Sequence, residues 1–138
     1  MTTTTSTSTA TTTESRYGDV IGLVLVATFT LSIVHTIYAA VEGLEDPEFT
    51  VTSPLAWGFY AVGFGMAALA RRDAVWVQRV VLAYLILVLA IGLFYYPTTF
   101  TGEKQTTFGW FENDVYMGLL IVAFFLSVLR IRRRALVP

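Results

Sequence analysis

Eight of the nine basic residues fall in alternate gaps between four hydrophobic stretches. The stretches cover about residues 18–41, 54–70, 75–96 and 113–129, each near the roughly 17–25 residues a transmembrane helix needs. Arg16 precedes the first. Arg71, Arg72 and Arg79 lie between the second and third or at the start of the third, and Arg130, Arg132, Arg133 and Arg134 follow the fourth. The other two gaps hold only Lys104. Positive charge is retained on the cytoplasmic side of a bilayer. The pattern therefore predicts four spans, with both termini and the middle loop in the cytoplasm of a cell-membrane protein.

Composition points the same way. The 138 residues are 55% hydrophobic and 14% charged, with a mean hydropathy of +0.65. Soluble domains are typically about 45–50% apolar and roughly 25% charged. A chain this short leaves much of its surface exposed and cannot hide that excess in a soluble core. The predicted fold is an all-α integral membrane protein, an antiparallel four-helix transmembrane bundle with short loops, N-in and C-in. The chain has no cysteine, which removes disulfides, thiolate metal sites, iron–sulfur clusters and covalent haem attachment.

Residues 1–16 are nearly all Thr and Ser. They are expected to be a disordered cytoplasmic tail, because they bury too little surface to offset the entropy of ordering. They lack the basic start and apolar core of a signal peptide. Residues 17–134 form the predicted membrane domain and 135–138 a short tail. Gly43 and Pro47 are expected to end span one, Ser53 to cap a span opening at Pro54, Asp73 to cap span three, and Pro97 to stop it. Trp57, Trp76 and Trp110 stand near span starts, where amphipathic rings prefer the headgroup level. With Arg71, Arg72, Arg130, Arg132, Arg133 and Arg134 they are the expected interface anchors. The Arg cluster after span four suits anionic lipid headgroups and is equally explained as a stop-transfer anchor.

The face opposite the arginines is acidic. It carries Glu42, Glu45, Asp46, Glu48, Glu103, Glu112 and Asp114 against Lys104. Such a face concentrates cations, and simple solubility accounts for it equally well.

His35 is the one histidine and lies inside span one. Steps of three and four residues return to one side of a helix. Thr28, Ser32, His35 and Glu42 therefore form a polar stripe, with Tyr60 on span two as a candidate hydrogen-bond partner for His35. Ionisable residues within spans face the bundle interior or a water-filled cavity and mark candidate functional sites. A proton relay, an axial haem ligand and a metal site with outer carboxylates compete with a plain interhelical hydrogen bond. Thr36, about 100° further round the helix, is expected to matter less. On span two, Gly58, Ala61, Gly65 and Ala68 share one face, and Gly63 with Ala67 lies beside it. Small residues four apart let helices approach closely, so the first set is the expected packing face. Span three is apolar apart from Tyr84 and reads as lipid-facing.

No nucleophile triad, phosphate loop, HExxH sequence or pair of histidine ligands is present in the sequence. The chain is expected not to be an enzyme, to need no cofactor or metal and to bind no nucleic acid. Its expected partners are the lipid bilayer and a second copy or another membrane protein. A structural or accessory role leads, because one polar stripe is thin material for a pore. A small oligomeric transporter or channel lined by that stripe comes second, and a cytochrome-like or enzyme subunit third.

Overall fold

The computed structural model describes residues 7–46, 49–99 and 106–136, and of residues 7–15, 96 and 99 only the backbone. Glu48, Glu103 and Lys104 lie outside the described residues, as do 1–6 of the leader.

Among the described residues there are four α-helices: α1 (Thr7–Glu42), α2 (Pro54–Ala70), α3 (Val75–Ala90) and α4 (Thr107–Ala135). A π-helical turn, Ile91–Tyr95, prolongs α3 and passes into a 3₁₀ turn, Tyr96–Thr99. Three helical segments are long and apolar enough to cross a membrane: Arg16–Glu42, Val75–Tyr95 and Thr107–Ala135. α2 is apolar but shorter, with 17 residues, roughly 25 Å at 1.5 Å per residue.

Two helix starts and one capping residue differ from expectation. α1 begins at Thr7, so residues 7–16, expected to be disordered, continue the helix of span one. Propagating a formed helix adds one hydrogen bond per residue fixed and needs no new nucleus. α4 begins at Thr107, not near Asn113, because Thr106 is its N-cap and its hydroxyl accepts from Gly109 N at 3.0 Å. α3 is capped at Ala74, and Asp73 serves elsewhere. Ser53 holds the N-cap position of α2 with extended backbone and no side-chain cap bond. Gly43 ends α1 as expected. Its φ of +67° allows Leu44 N to reach Ala39 O at 2.8 Å and Gly43 N to reach Ala40 O at 3.4 Å, the paired bonds of a Schellman cap.

The helices are antiparallel neighbours. Along α1, Gly18, Gly22, Phe29 and Thr36 meet Ala70, Ala67, Gly63 and Tyr60 of α2 in reverse order. Along α4, Thr106, Glu112 and Arg133 meet Tyr38, His35 and Tyr17 of α1. α1 thus sits between α2 and α4, α4 between α1 and α3, and of the four neighbouring pairs α2 and α3 touch least.

Phe29 is fully buried at the centre, with Phe59 and Phe64 of α2 and Tyr84 of α3 around it at centroid distances of 5.5–6.3 Å. α3 contributes Val77, Val81, Leu85 and Val88 to the core, so it is not wholly lipid-facing. The outer surface carries Leu23, Ile37, Leu55, Val62, Ile86, Leu87, Ile121 and Phe125, while Thr28, Thr36, Gln78, Glu112, Ser127 and Arg130 are buried. An apolar exterior around a partly polar interior is the distribution of a membrane-embedded bundle, since contiguous apolar surface of this kind is rare on soluble monomers.

Candidate functional site: polar ties at both ends of the bundle

Two groups of buried polar residues lie at opposite ends of the helices. The first is near the acidic end. His35 Nδ1 on α1 lies against Glu112 Oε2 on α4, in close contact but without the alignment of a hydrogen bond. The glutamate side chain is 5% exposed and the imidazole 31%. Glu112 shares a face with Leu120, Ala123, Ser127 and Arg130, all buried along α4. Steps of eight, three, four and three keep one side of a helix inward. Placing the start of span four at 113 hides this, because it leaves Glu112 in a loop. The face was readable once the helix is extended by two turns.

One residue along, Thr36 turns towards α2. Its hydroxyl pairs with Tyr60 Oη, which also donates to Ser32 O at 3.2 Å. Tyr60 is therefore the partner of Thr36 and the Ser32 carbonyl, not of His35. Thr36 is 7% exposed, so it faces inward like its neighbour. The reason is geometric. α1 is packed on two sides, so positions about 100° apart are both inward, His35 towards α4 and Thr36 towards α2. Three residues past His35, Tyr38 Oη donates to Thr106 Oγ1 at 3.2 Å, and its ring meets Phe108 at 4.7 Å.

The rest of the predicted stripe separates. Thr28 is buried and donates to Val24 O of its own helix at 2.8 Å. Glu42 is exposed at the end of α1, away from His35. Beyond it, Glu45 Oε1 accepts from Val51 N at 3.0 Å and Trp57 Nε1 donates to Val51 O at 2.8 Å, while Phe49 packs edge-on against Phe59 and Tyr60. This folds the connection back over the end of α2.

The second group lies at the arginine-rich end, and its centre is Arg130. Arg130 is 3% exposed, which corrects its assignment as an interface anchor. Nη1 donates to Ala70 O at 2.6 Å, and Nη2 to Arg72 O at 3.3 Å and Asp73 Oδ1 at 2.8 Å. Arg134 Nη1 donates to Asp73 O. The last carbonyls of a helix have no partner within it, and here the guanidinium of another helix supplies them. Cations are also favoured at a helix C-terminus by its dipole. Gly18 makes the approach possible: a Cβ there would stand 2.7 Å from Ala70 O and 2.9 Å from Arg130 Nη2. Arg71, Arg72, Arg79, Arg132 and Arg133 remain exposed, as do Trp57, Trp76 and Trp110, and Arg133 lies 5.2 Å from the Tyr17 ring centroid.

The packing face of α2 also differs. Gly58, Ala61, Gly65 and Ala68 are exposed, with open space beside Gly58 and Gly65. The buried face is Ala56, Tyr60, Gly63, Ala67 and Ala70. A Cβ on Gly63 would be 2.6 Å from the Phe29 ring, and one on Gly22 would be 2.8 Å from Ala67 O. The Gly18–Gly22 pair is a small-xxx-small signal that the reading of span one as a polar stripe passed over.

No protein-family model, curated protein or solved structure matches this chain. Among the described residues, no three His, Asp or Glu side chains are grouped so as to hold a metal ion.

Proposed function

We propose that this chain is a small polytopic membrane protein with a structural or accessory, non-enzymatic role. It crosses the cell membrane four times, with both termini and the α2–α3 connection in the cytoplasm, and its partners are lipid and a second copy or another membrane protein. The carrying observation is the His35–Glu112 pair. The histidine and the buried carboxylate are turned on each other across α1 and α4. The Thr36–Tyr60 pair and the Arg130 cap do the same work between other helices. In lipid, packing and interhelical polar contacts drive helix association, so these residues suit holding the bundle together. The topology rests on Arg71, Arg72, Arg79, Arg132, Arg133 and Arg134 gathering at one end. Trp57 in the first turn of the short α2 and Arg71 just past its end extend its reach into the headgroups.

A second reading, an oligomeric transporter or channel, draws on one observation. The His35 side chain is 31% exposed, so a neighbouring copy could complete a path along it. Purified protein in vesicles loaded with a pH-sensitive dye separates the two. The structural role predicts proton leak equal to that of empty vesicles for the wild type and for His35→Gln. A leak above that background in the wild type, abolished by His35→Gln, would overturn it in favour of transport.

A further inference from the structure

The Arg130 guanidinium carries five N–H donors, and its Nη atoms serve Ala70 O, Arg72 O and Asp73 Oδ1. Its Nε is buried with no hydrogen-bond partner among the described residues. Arg130 lines a small cavity of about 10 Å³ at the meeting point of all four helices. The other walls are Ile21 of α1, Ala70 of α2, Gln78 and Val81 of α3, and Ser127 of α4. Gln78 and Ser127 are each 4% exposed.

We infer that this cavity is a binding site for one structural water molecule, held by Arg130 Nε, Ser127 Oγ and the Gln78 side-chain amide. Three observations select water. The volume is near the lower limit for a single water, which needs roughly 10–15 Å³ on this measure. The hydrogen-bonding pattern fits: Ser127 already donates to Ala123 O at 2.8 Å, so its oxygen is left to accept, and the Gln78 carbonyl oxygen is a second acceptor. A water accepting from Nε–H and donating to both oxygens makes three bonds, the usual number for a buried water. The charge also fits. Arg130 is already paired with Asp73, so a halide would add an uncompensated negative charge facing two acceptor oxygens, and a neutral ligand avoids that cost. The water joins α3 to α4 where no protein hydrogen bond reaches Nε. This inference does not depend on the proposed function.

NMR of the full chain in detergent micelles, with arginine labelled by ¹⁵N, tests it. The Arg130 Nε–H resonance is assigned by its loss in Arg130→Lys. The expected result is a cross-peak from that proton to a long-lived water, lost in Ser127→Val, whose extra methyl fills the cavity. Should Ser127→Val fail to fold, Gln78→Leu removes the other acceptor and is expected to weaken the cross-peak. Absence of any water cross-peak in the wild type overturns the inference. So does a shift of the Nε–H resonance when chloride is exchanged for gluconate, because that signals a bound anion.

Discussion

The His35 imidazole on α1 and the Glu112 carboxylate on α4 face each other through Nδ1 and Oε2, near the acidic end of the bundle. Removing either partner leaves the other at an inward position without its counterpart. Interhelical polar pairs in membrane bundles couple by about 0.6 kcal/mol on average and up to roughly 1.7 kcal/mol. His35→Leu and Glu112→Leu should each lower thermal stability in detergent, and the double variant should lose less than the two single losses combined. Strict additivity would mean the two side chains do not support each other.

Gly63 and Gly65 separate the two faces of α2. A side chain at Gly63 meets the Phe29 ring, whereas Gly65 opens onto free space. Overpacking of this kind costs typically 1–3 kcal/mol, and exposed substitutions away from special features stay within about 0.5 kcal/mol. Gly63→Leu should therefore reduce the melting temperature clearly and Gly65→Leu should not. The reverse order would restore Gly58, Ala61, Gly65 and Ala68 as the packing face.

Arg130 and Arg132 stand two residues apart and differ in burial. Arg130→Met strips the Ala70 carbonyl of its donor, and a buried group left without a partner costs about 1–3 kcal/mol. The Asp73 contact adds little to this, because that carboxylate is 55% exposed. Arg132→Met, at an exposed site, should be nearly neutral. Equal thermal stability of the two variants would show that Arg130 does not cap α2.

Tyr84 has a buried hydroxyl with no hydrogen-bond partner among the described residues, and its ring lies 6.3 Å from that of Phe29. Tyr84→Phe keeps the ring and removes the unpaired group, so it should be neutral or stabilising by up to about 1 kcal/mol. A clear loss of stability would reveal a partner for that hydroxyl.

Much of the architecture is legible in the sequence, because hydropathy and turn chemistry act locally. The Pro54–Ala70 helix and the Gly43 stop of α1 lie where the sequence puts them. The starts of α1 and α4 do not, because helical propagation and the Thr106 cap place both before the apolar stretch. The candidate site is less legible. A polar stripe identifies His35 as inward-facing but not what it faces, and the partner, Glu112, lies 77 positions away, just before the expected span. Thr36 and Tyr60 show the same limit: which of two adjacent faces is buried depends on the number of neighbouring helices. Arg130 reads as a headgroup anchor because charge at a span end has that role by default. Only the α2–α4 contact reveals it as a cap.

The proposed four crossings, with the arginine-rich end inside, are tested by the side of the membrane on which each connection lies. The chain has no cysteine, so single cysteines report location cleanly. Thr52→Cys, Ala74→Cys and Ala135→Cys place a thiol in the α1–α2 connection, the α2–α3 turn and the end of α4, all at exposed positions. In intact cells treated with a membrane-impermeant maleimide, Thr52→Cys should label, while Ala74→Cys and Ala135→Cys should label only after permeabilisation. Labelling of Ala74→Cys from outside intact cells would contradict the four-span arrangement.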